Sequence, residues 1–303
     1  MASDPAVDEM FGLLSDETRV GILRAIAVAE HELDEAGGGP ATLAFSEIYD
    51  RVDVDNTSKL SYHLGELAGT YLRKDGDEYT FTHAGERIVR FVLSGNYGRP
   101  SAFGPEPVAG TCLFCGVEAL EASLAHRFFE VECASCERQV AGQPVTPAQT
   151  EARDGEDLLD SVRRKSAQVY REIRGGICPG CSGVLAADVL DMREGPLPEA
   201  DPFLVRSECR QCLREYNSPL TYSVAYHPAS VAFHWDRGVD VTSKGVWEFH
   251  EHVYEGRWTS KRVASDPETY EITLRLDADA LRFRLDGSGT VIRTERVRRE
   301  RGG

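Results

Sequence analysis

Thr57-Ser58-Lys59-Leu60-Ser61-Tyr62-His63-Leu64-Gly65-Glu66-Leu67 decides how the first third of the chain folds. Leu60, Leu64 and Leu67 fall at i, i+4 and i+7, the spacing of one buried helical face. Lys59, Ser61 and Tyr62 fall largely off that face, where a major groove can receive them. Asp55 or Asn56 is placed to cap this helix, and Gly69 with Thr70 to end it. Downstream, Tyr71-Leu72-Arg73-Lys74 and Tyr79-Thr80-Phe81-Thr82 flank the turn at Asp75-Gly76 and predict a two-stranded ribbon. Thr82 caps a last helix through Ile88, Val89 and Phe91 to Leu93.

Upstream, Val7 to about Leu33 is helical in pattern, with a short first piece at Met10, Phe11, Leu13 and Leu14. Ser15-Asp16-Glu17-Thr18 supplies an N-cap and first-turn acids ahead of Val20, Ile22, Leu23 and Ile26. A glycine-rich stretch at residues 36–40 interrupts the pattern. Ser46 is expected to cap a short helix through Ile48 and Val52.

From Ser15 to Leu93 the chain resembles the ArsR-like winged-helix transcription regulators, especially the versions common in archaea. Three pieces carry the resemblance: Ser15-Asp16-Glu17-Thr18-Arg19 opening the first long helix, Leu60-Ser61-Tyr62-His63-Leu64 in the recognition position, and Leu72-Arg73-Lys74 with Phe81-Thr82-His83-Ala84-Gly85-Glu86 around the wing. Their order and spacing together are more specific than any one of them. The resemblance implies a winged helix-turn-helix in residues 1–95 that binds double-stranded promoter DNA as a homodimer. Recognition helices would enter successive major grooves, with each wing on flanking backbone. Carried onto this chain, the DNA-facing positions are Thr57, Ser58, Lys59, Ser61 and Tyr62, with Arg73 and Lys74 on the wing. His63, beside Leu64, equally suits a packed histidine. Metal-sensing members carry cysteine ligands inside this domain. Here no cysteine precedes Cys112, so metal sensing by that route is unsupported. Winged helices also serve as protein-docking modules, and acidic residues outnumber basic ones in this segment.

The 303 residues carry a formal net charge of −16, and of 34 basic residues only Lys59, Lys74, Lys165, Lys244 and Lys261 are lysines. An acidic, lysine-poor chain of otherwise globular composition points to a halophilic source with a very salty cytosol. At molar salt the Debye length is about 3 Å, so surface carboxylates repel neither one another nor DNA over a useful distance. No apolar run approaches the roughly 18 residues that span a bilayer. Met1-Ala2-Ser3-Asp4-Pro5 is not the start of a signal peptide. The expectation is a cytoplasmic protein with no membrane partner.

All eight cysteines fall in CxxC pairs: Cys112/Cys115, Cys133/Cys136, Cys178/Cys181 and Cys209/Cys212. Two such pairs separated by a strand-forming span are the signature of a four-thiolate zinc site. Phe128 to Cys133 and Phe203 to Cys209 both read as strands entering a second knuckle. The two blocks therefore look like copies of one zinc ribbon, and two structural Zn2+ ions are expected. Sequential pairing is the economical choice; sharing between the first and last CxxC stays open if the blocks interlock. Disulfides are disfavoured in a reducing cytosol.

The expected fold is multidomain α+β. It comprises the winged helix-turn-helix (1–95), a Gly/Pro-rich linker (96–110), zinc ribbon 1 (111–140), a helical connector (141–176), zinc ribbon 2 (177–226) and a small C-terminal α+β domain with an antiparallel meander (227–303). In the connector, Leu158, Val162, Val169 and Ile173 form an apolar stripe that suits its own domain or a second subunit, while Arg163, Arg164, Lys165, Arg171 and Arg174 mark an outer face. His227 to Trp235 and Gly245 to about Tyr254 are expected helices. Three strands follow, with Tyr270, Ile272, Leu274 and Leu276 on one face of the first and Leu281, Phe283 and Leu285 on one face of the second, before a basic tail at Arg293, Arg296, Arg298, Arg299 and Arg301. No P-loop, G-x-G-x-x-G, H-E-x-x-H or G-x-S-x-G motif occurs, so no enzymatic activity is expected. His234, His250 and His252 with Trp235 and Trp247 read as core or surface aromatics. The C-terminal domain leaves room for an effector. These features lead to a DNA-binding transcription regulator with two structural zinc sites. The competing expectation is a zinc-ribbon interaction or scaffold protein of the transcription or translation machinery, without sequence-specific DNA binding.

Overall fold

Leu60, Leu64 and Leu67 are buried together with His63 on one side of a helix that runs from Thr57 to Leu67. The computed structural model describes residues 7–34, 42–125 and 128–297. It divides into two units, Met1–Arg99 and Pro100–Gly303. The expected break at residues 36–40, the first five residues, and Arg298, Arg299 and Arg301 lie outside the described residues.

The first unit contains α1 (Val7–Leu13), α2 (Glu17–Asp34), β1 (Leu43–Ala44), α3 (Phe45–Tyr49), α4 (Thr57–Leu67), β2 (Leu72–Asp75), β3 (Glu78–Phe81) and α5 (His83–Leu93). Its three strands form an antiparallel sheet in the order β1-β3-β2. Asn56 caps α4 by accepting the Lys59 N–H at 2.9 Å, and Thr82 caps α5 by accepting the Gly85 N–H at 3.1 Å. Ser46 is not the cap of α3. β1 runs directly into that helix, so Ala44 takes the position and its N–H donates to the Glu47 carboxylate at 2.7 Å. Ile22, Ile26, Leu43, Ile48, Leu60 and Val89 meet in one core. Tyr71 ties the base of the β2–β3 ribbon to α1 by donating its hydroxyl to the Met10 carbonyl at 2.9 Å.

Helix α5 approaches that ribbon closely at Gly85. A Cβ there would lie 1.9 Å from the Tyr71 carbonyl oxygen, which is backbone and already accepts the Thr82 N–H. Gly85→Ala is therefore expected to destabilise the first unit by about 2 kcal/mol or more despite alanine's better helix propensity. Thermal melting of this unit would show no loss if the close approach were absent.

In the second unit, β4 (Phe103–Val108), β5 (Leu120–Ala125), β6 (Phe128–Cys133) and β7 (Gln139–Pro144) form an antiparallel sheet in that order. Thus part of the stretch expected to be a linker is an edge strand. Pro105 and Pro107 are tolerated because an edge strand leaves one row of backbone donors unpaired. Helices α6 (Pro147–Glu151) and α7 (Gly155–Arg174) follow. β8 (Leu185–Asp191), β9 (Phe203–Cys209) and β10 (Glu215–Pro219) form a second sheet, ordered β10-β9-β8. The chain continues through a 3-10 turn (Leu220–Val224), α8 (Pro228–Trp235), a second 3-10 turn (Val241–Ser243), a third (Val246–Phe249) and α9 (His250–Tyr254). It ends in the meander β11 (Trp258–Ser265), β12 (Glu268–Leu276), β13 (Asp279–Asp286) and β14 (Val291–Val297).

Gly245 to Tyr254, expected as one helix, is a 3-10 turn followed by a short helix. The meander has four strands, one more than the three expected; in β11 only Trp258 and Ser260 are buried, so its alternation is weak in apolar residues.

One core runs through most of this unit, from Cys112 through Phe129, Val162, Tyr222, Trp247 and Ile272 to Leu285. A single ribbon of some 30 residues buries too little surface to stand alone, so pieces with separate sequence signatures share one interior. In α7, Leu158 and Val162 pack on this core and Ile173 packs on the second cysteine cluster. Arg163 does not belong to an outer face: its guanidinium is largely buried and pairs with Glu248 at 3.0 Å and Asp160 at 2.9 Å.

Asp201 joins three segments of this unit. Its fully buried carboxylate accepts the Thr221 N–H at 3.0 Å, the Thr221 hydroxyl at 2.6 Å and the Ser260 hydroxyl. Burial pushes its pKa up to about 6, and the three donors hold it from rising further.

Candidate metal centres and nucleic-acid face

The four CxxC motifs fold into one repeated turn. In each, the residue after the second cysteine donates its N–H to the carbonyl of the first: Gly116 to Cys112 (3.0 Å), Glu137 to Cys133 (2.8 Å), Ser182 to Cys178 (2.8 Å) and Leu213 to Cys209 (2.9 Å). In each, the first cysteine's N–H donates to the carbonyl five residues on, at Val117, Arg138, Gly183 and Arg214. Closing the turn this way places the residue after the motif in the left-handed region, with φ of 72° at Gly116, 57° at Glu137, 61° at Ser182 and 59° at Leu213. Only the first of these is a glycine, so backbone strain of order 1 kcal/mol is accepted at each of the other three.

These turns bring the sulfurs together in sequential pairs of motifs. Cys112, Cys115, Cys133 and Cys136 form one quartet and Cys178, Cys181, Cys209 and Cys212 the other, with every Sγ of a quartet within 4.8 Å of the rest. Neighbouring sulfurs lie 3.7 Å apart for Cys112–Cys136 and Cys115–Cys133, 3.6 Å for Cys178–Cys212 and 3.5 Å for Cys181–Cys209. Zinc–sulfur bonds of about 2.3 Å at tetrahedral angles separate sulfurs by about 3.8 Å. A disulfide would need about 2.05 Å. Both quartets therefore fit a tetrahedral metal ion.

Each quartet sets thiols that ionise readily beside thiols that do not: burial pushes Cys112 up to about 12, and, against the Gly183 N–H, hydrogen bonds with Cys209 and Cys212 push Cys181 up to about 12. Burial opposes ionisation of Cys178, but the N–H groups of Gly180 and Cys181 and the Tyr216 hydroxyl bring its pKa down to about 6. Burial likewise opposes ionisation of Cys133, and the Cys136 and Ser135 N–H groups bring it down to about 7. Such N–H groups aimed at thiolates also stabilise the metal-bound form.

The two centres differ in their surroundings. Around the first, Cys112 and Cys133 are part of the unit's main core. The second has only a small core of its own, Cys178, Leu185 and Cys209 with Ile173 and Tyr216 packed on it, and Cys181 and Cys212 are exposed. Tyr216, four residues beyond the last cysteine, sets its hydroxyl 3.7 Å from Cys178 Sγ. Nothing in the CxxC spacing signals that tyrosine.

In the first unit, Thr57, Ser58, Lys59, Ser61 and Tyr62 on α4 and Arg73 and Lys74 on β2 are all exposed. Tyr62 is 62% exposed, whereas His63 is 5% exposed and lies 3.9 Å from Asp16 Oδ1. His63 is thus a packed residue and not part of this face. Lys59 pairs with Asp55 at 3.2 Å, and Lys74 lies over the Tyr79 ring at 5.4 Å. Asp53, Asp75, Asp77 and Glu78 are exposed beside them, so the basic groups sit in an acidic setting.

His234, His250 and His252 do not converge on a metal site. His250 is fully buried and stacks on Tyr222, with ring centroids 5.8 Å apart; burial lowers its pKa to about 3. His234 and His252 each pack against Trp258, Trp247 is a core residue, and Trp235 is exposed. Among the described residues no helix is long and apolar enough to cross a membrane.

The boundaries of the two units are mirrored in comparisons with known families. The model of one domain of unknown function, DUF7347, matches residues 7–92, and that of another, DUF7351, matches residues 109–291. No curated protein and no solved structure matches the chain. Because the second match spans more than half of its length and takes in both cysteine quartets, the chain belongs to the DUF7351 family.

Proposed function

We propose that this chain is a DNA-binding transcription regulator whose second unit is built around two structural zinc ions. One observation supports the DNA reading above the others. Seven side chains that an ArsR-like winged helix would present to a duplex are exposed, while the leucines between them are buried. In this reading α4 enters the major groove, the β2–β3 ribbon is the wing, and two copies bind as a homodimer. Hydroxyls at the start of α4 suit phosphates as well as base edges. The acidic setting restricts binding to a high-salt medium, where repulsion is screened. The zinc centres organise the fold and make no phosphate contact, because Zn2+ with four thiolates carries about −2 charge. No catalytic role is assigned.

The cysteine quartets support an interaction or scaffold protein more directly than they support sequence-specific DNA binding. A specific feature favours that second reading. Three apolar residues beside the CxxC motifs of the second quartet are exposed: Ile177 (47%) and Val184 (71%), which form a β-bridge, and Leu213 (86%). Exposed apolar side chains at such turns suit docking to a protein of the transcription or translation machinery.

Fluorescence anisotropy with the chain's own promoter fragment in molar potassium chloride separates the two. The combined change Lys59→Glu and Tyr62→Ala is expected to weaken specific binding at least about tenfold, the scale of one lost base contact. Leu213→Glu should leave it unchanged. Unaltered DNA affinity in the double variant, or no specific binding in the parent chain, would favour the interaction reading.

A further inference from the structure

The two metal centres stand on the same backbone turn but are shielded differently. In the first quartet Cys112 and Cys133 are buried in the main core, and Cys115 and Cys136 are half-buried. The Tyr254 ring lies against the first knuckle so closely that a Cβ at Gly116 would overlap it. In the second quartet Cys178 and Cys209 are buried, whereas Cys181 and Cys212 are exposed. The chain neighbours Gly180, Ser182, Gln211 and Leu213 are exposed as well, so a small oxidant reaches both sulfurs from solvent.

Each exposed sulfur also has a buried one in contact with it. Cys181 Sγ lies 3.5 Å from Cys209 Sγ, and Cys212 Sγ lies 3.6 Å from Cys178 Sγ. Both pairs cross from one CxxC motif to the other, and each is about 1.5 Å wider than a disulfide bond. Bound zinc holds all four sulfurs as thiolates, so access, more than ionisation, decides which of them reacts first.

We propose that the second centre is a peroxide-sensitive switch, which gives up its zinc ion on oxidation of Cys181 and Cys212 while the first centre keeps its own. The Cys181 thiolate attacks one oxygen of hydrogen peroxide. The O–O bond breaks, hydroxide leaves, and Cys181 becomes a sulfenic acid. The Cys209 thiolate then attacks the Cys181 sulfur, forms the S–S bond and expels a second hydroxide. Two solvent protons turn both hydroxides into water. The pair of thiolates has lost two electrons, and the peroxide has gained them. Cys212 and Cys178 repeat the reaction with a second peroxide. One disulfide already leaves the quartet with two thiolates, too few for a structural zinc site. A thiol reductant and fresh zinc reverse the change. Only Leu185, Ile173 and Tyr216 pack with this quartet, so its opening stays local. The turns that carry Ile177, Val184 and Leu213 lose their tie, and oxidant thereby rearranges the exposed apolar residues beside them. This inference rests on the zinc part of the proposed function and does not depend on DNA binding.

Native mass spectrometry of the reduced, zinc-loaded full chain during treatment with hydrogen peroxide tests it, with a chelator present to trap released metal. The count should fall from two ions to one, and the remaining ion should leave at least about tenfold more slowly, because oxidation follows access to the thiolate. Peptide mapping of the one-ion species should find Cys181 joined to Cys209 and Cys178 joined to Cys212, with all four cysteines of the first quartet reduced. Dithiothreitol with added zinc should restore the second ion. Loss of both ions at one rate, retention of both under peroxide, or a one-ion species whose disulfides lie in the first quartet would overturn the switch and leave the zinc reading standing. A reduced chain that holds no metal before peroxide is added would overturn both.

Discussion

Serine in place of Cys112 is expected to remove one metal ion per chain and to unfold most of the second unit. Apparent free energies for structural four-ligand zinc are about 10–16 kcal/mol at neutral pH, against a total stability of about 5–15 kcal/mol for a typical domain. Cys112 is fully buried in the main core with Leu120, Val131 and Trp247, so losing its metal also loosens that packing. The first unit has its own core and should retain its helical signal. Cys181→Ser is the informative partner. Cys181 is exposed, and its quartet packs on only a small cluster, so losing that ion should open the β8–β10 tip while the main core persists. Native mass spectrometry should count two ions in the parent and one in each variant. Hydrogen exchange should show broad loss of protection for Cys112→Ser and local loss for Cys181→Ser. A metal-free parent chain melting like the loaded one would refute both expectations.

The second large effect lies at Asp201. Its pKa rises from 3.8 to about 6 on folding, so the folded state binds its proton more tightly than the unfolded state. The associated stabilisation is fully present below about pH 4 and is lost as pH rises through 6. The difference amounts to about 3 kcal/mol. Asp201→Asn removes the charge and can still accept the Thr221 N–H and hydroxyl, with the Ser260 hydroxyl turning to accept from the amide. This variant should be more stable than the parent at pH 8 and lose that advantage toward pH 4. Asp201→Ala strands two hydroxyls and a backbone N–H in the interior and should cost about 3 kcal/mol or more. Denaturant melts of the three proteins between pH 4 and 8 measure both effects. A difference between parent and Asp201→Asn that did not vary with pH would show that the carboxylate titrates normally.

What could be read from the residues follows from how local each signal is. The cysteine quartets were legible because metal chemistry admits few residue types and the pairs recur at fixed spacing. The α4 face and strands β12 and β13 were legible because burial imposes a 3.6- or two-residue period on leucine, tyrosine and phenylalanine. β4 was hidden by prolines that an edge strand tolerates, and β11 by polar residues in a partly buried strand. Ser46 looked like a cap, but the strand entering α3 starts the helix two residues earlier, with Ala44 in the cap position. Asp201 meets Thr221 and Ser260 across 20 and 59 residues, and no local pattern announces such a meeting.

The fourfold turn has a consequence for ancestry. Its shape is written in main-chain hydrogen bonds, and the two residues inside each motif are Leu-Phe, Ala-Ser, Pro-Gly and Arg-Gln. Selection that preserves the thiols can therefore let everything between and around them drift. Two halves descended from a single duplicated precursor would share little beyond eight sulfurs and a backbone path. Kinship within such lineages is better sought by superposing loops than by counting identical letters.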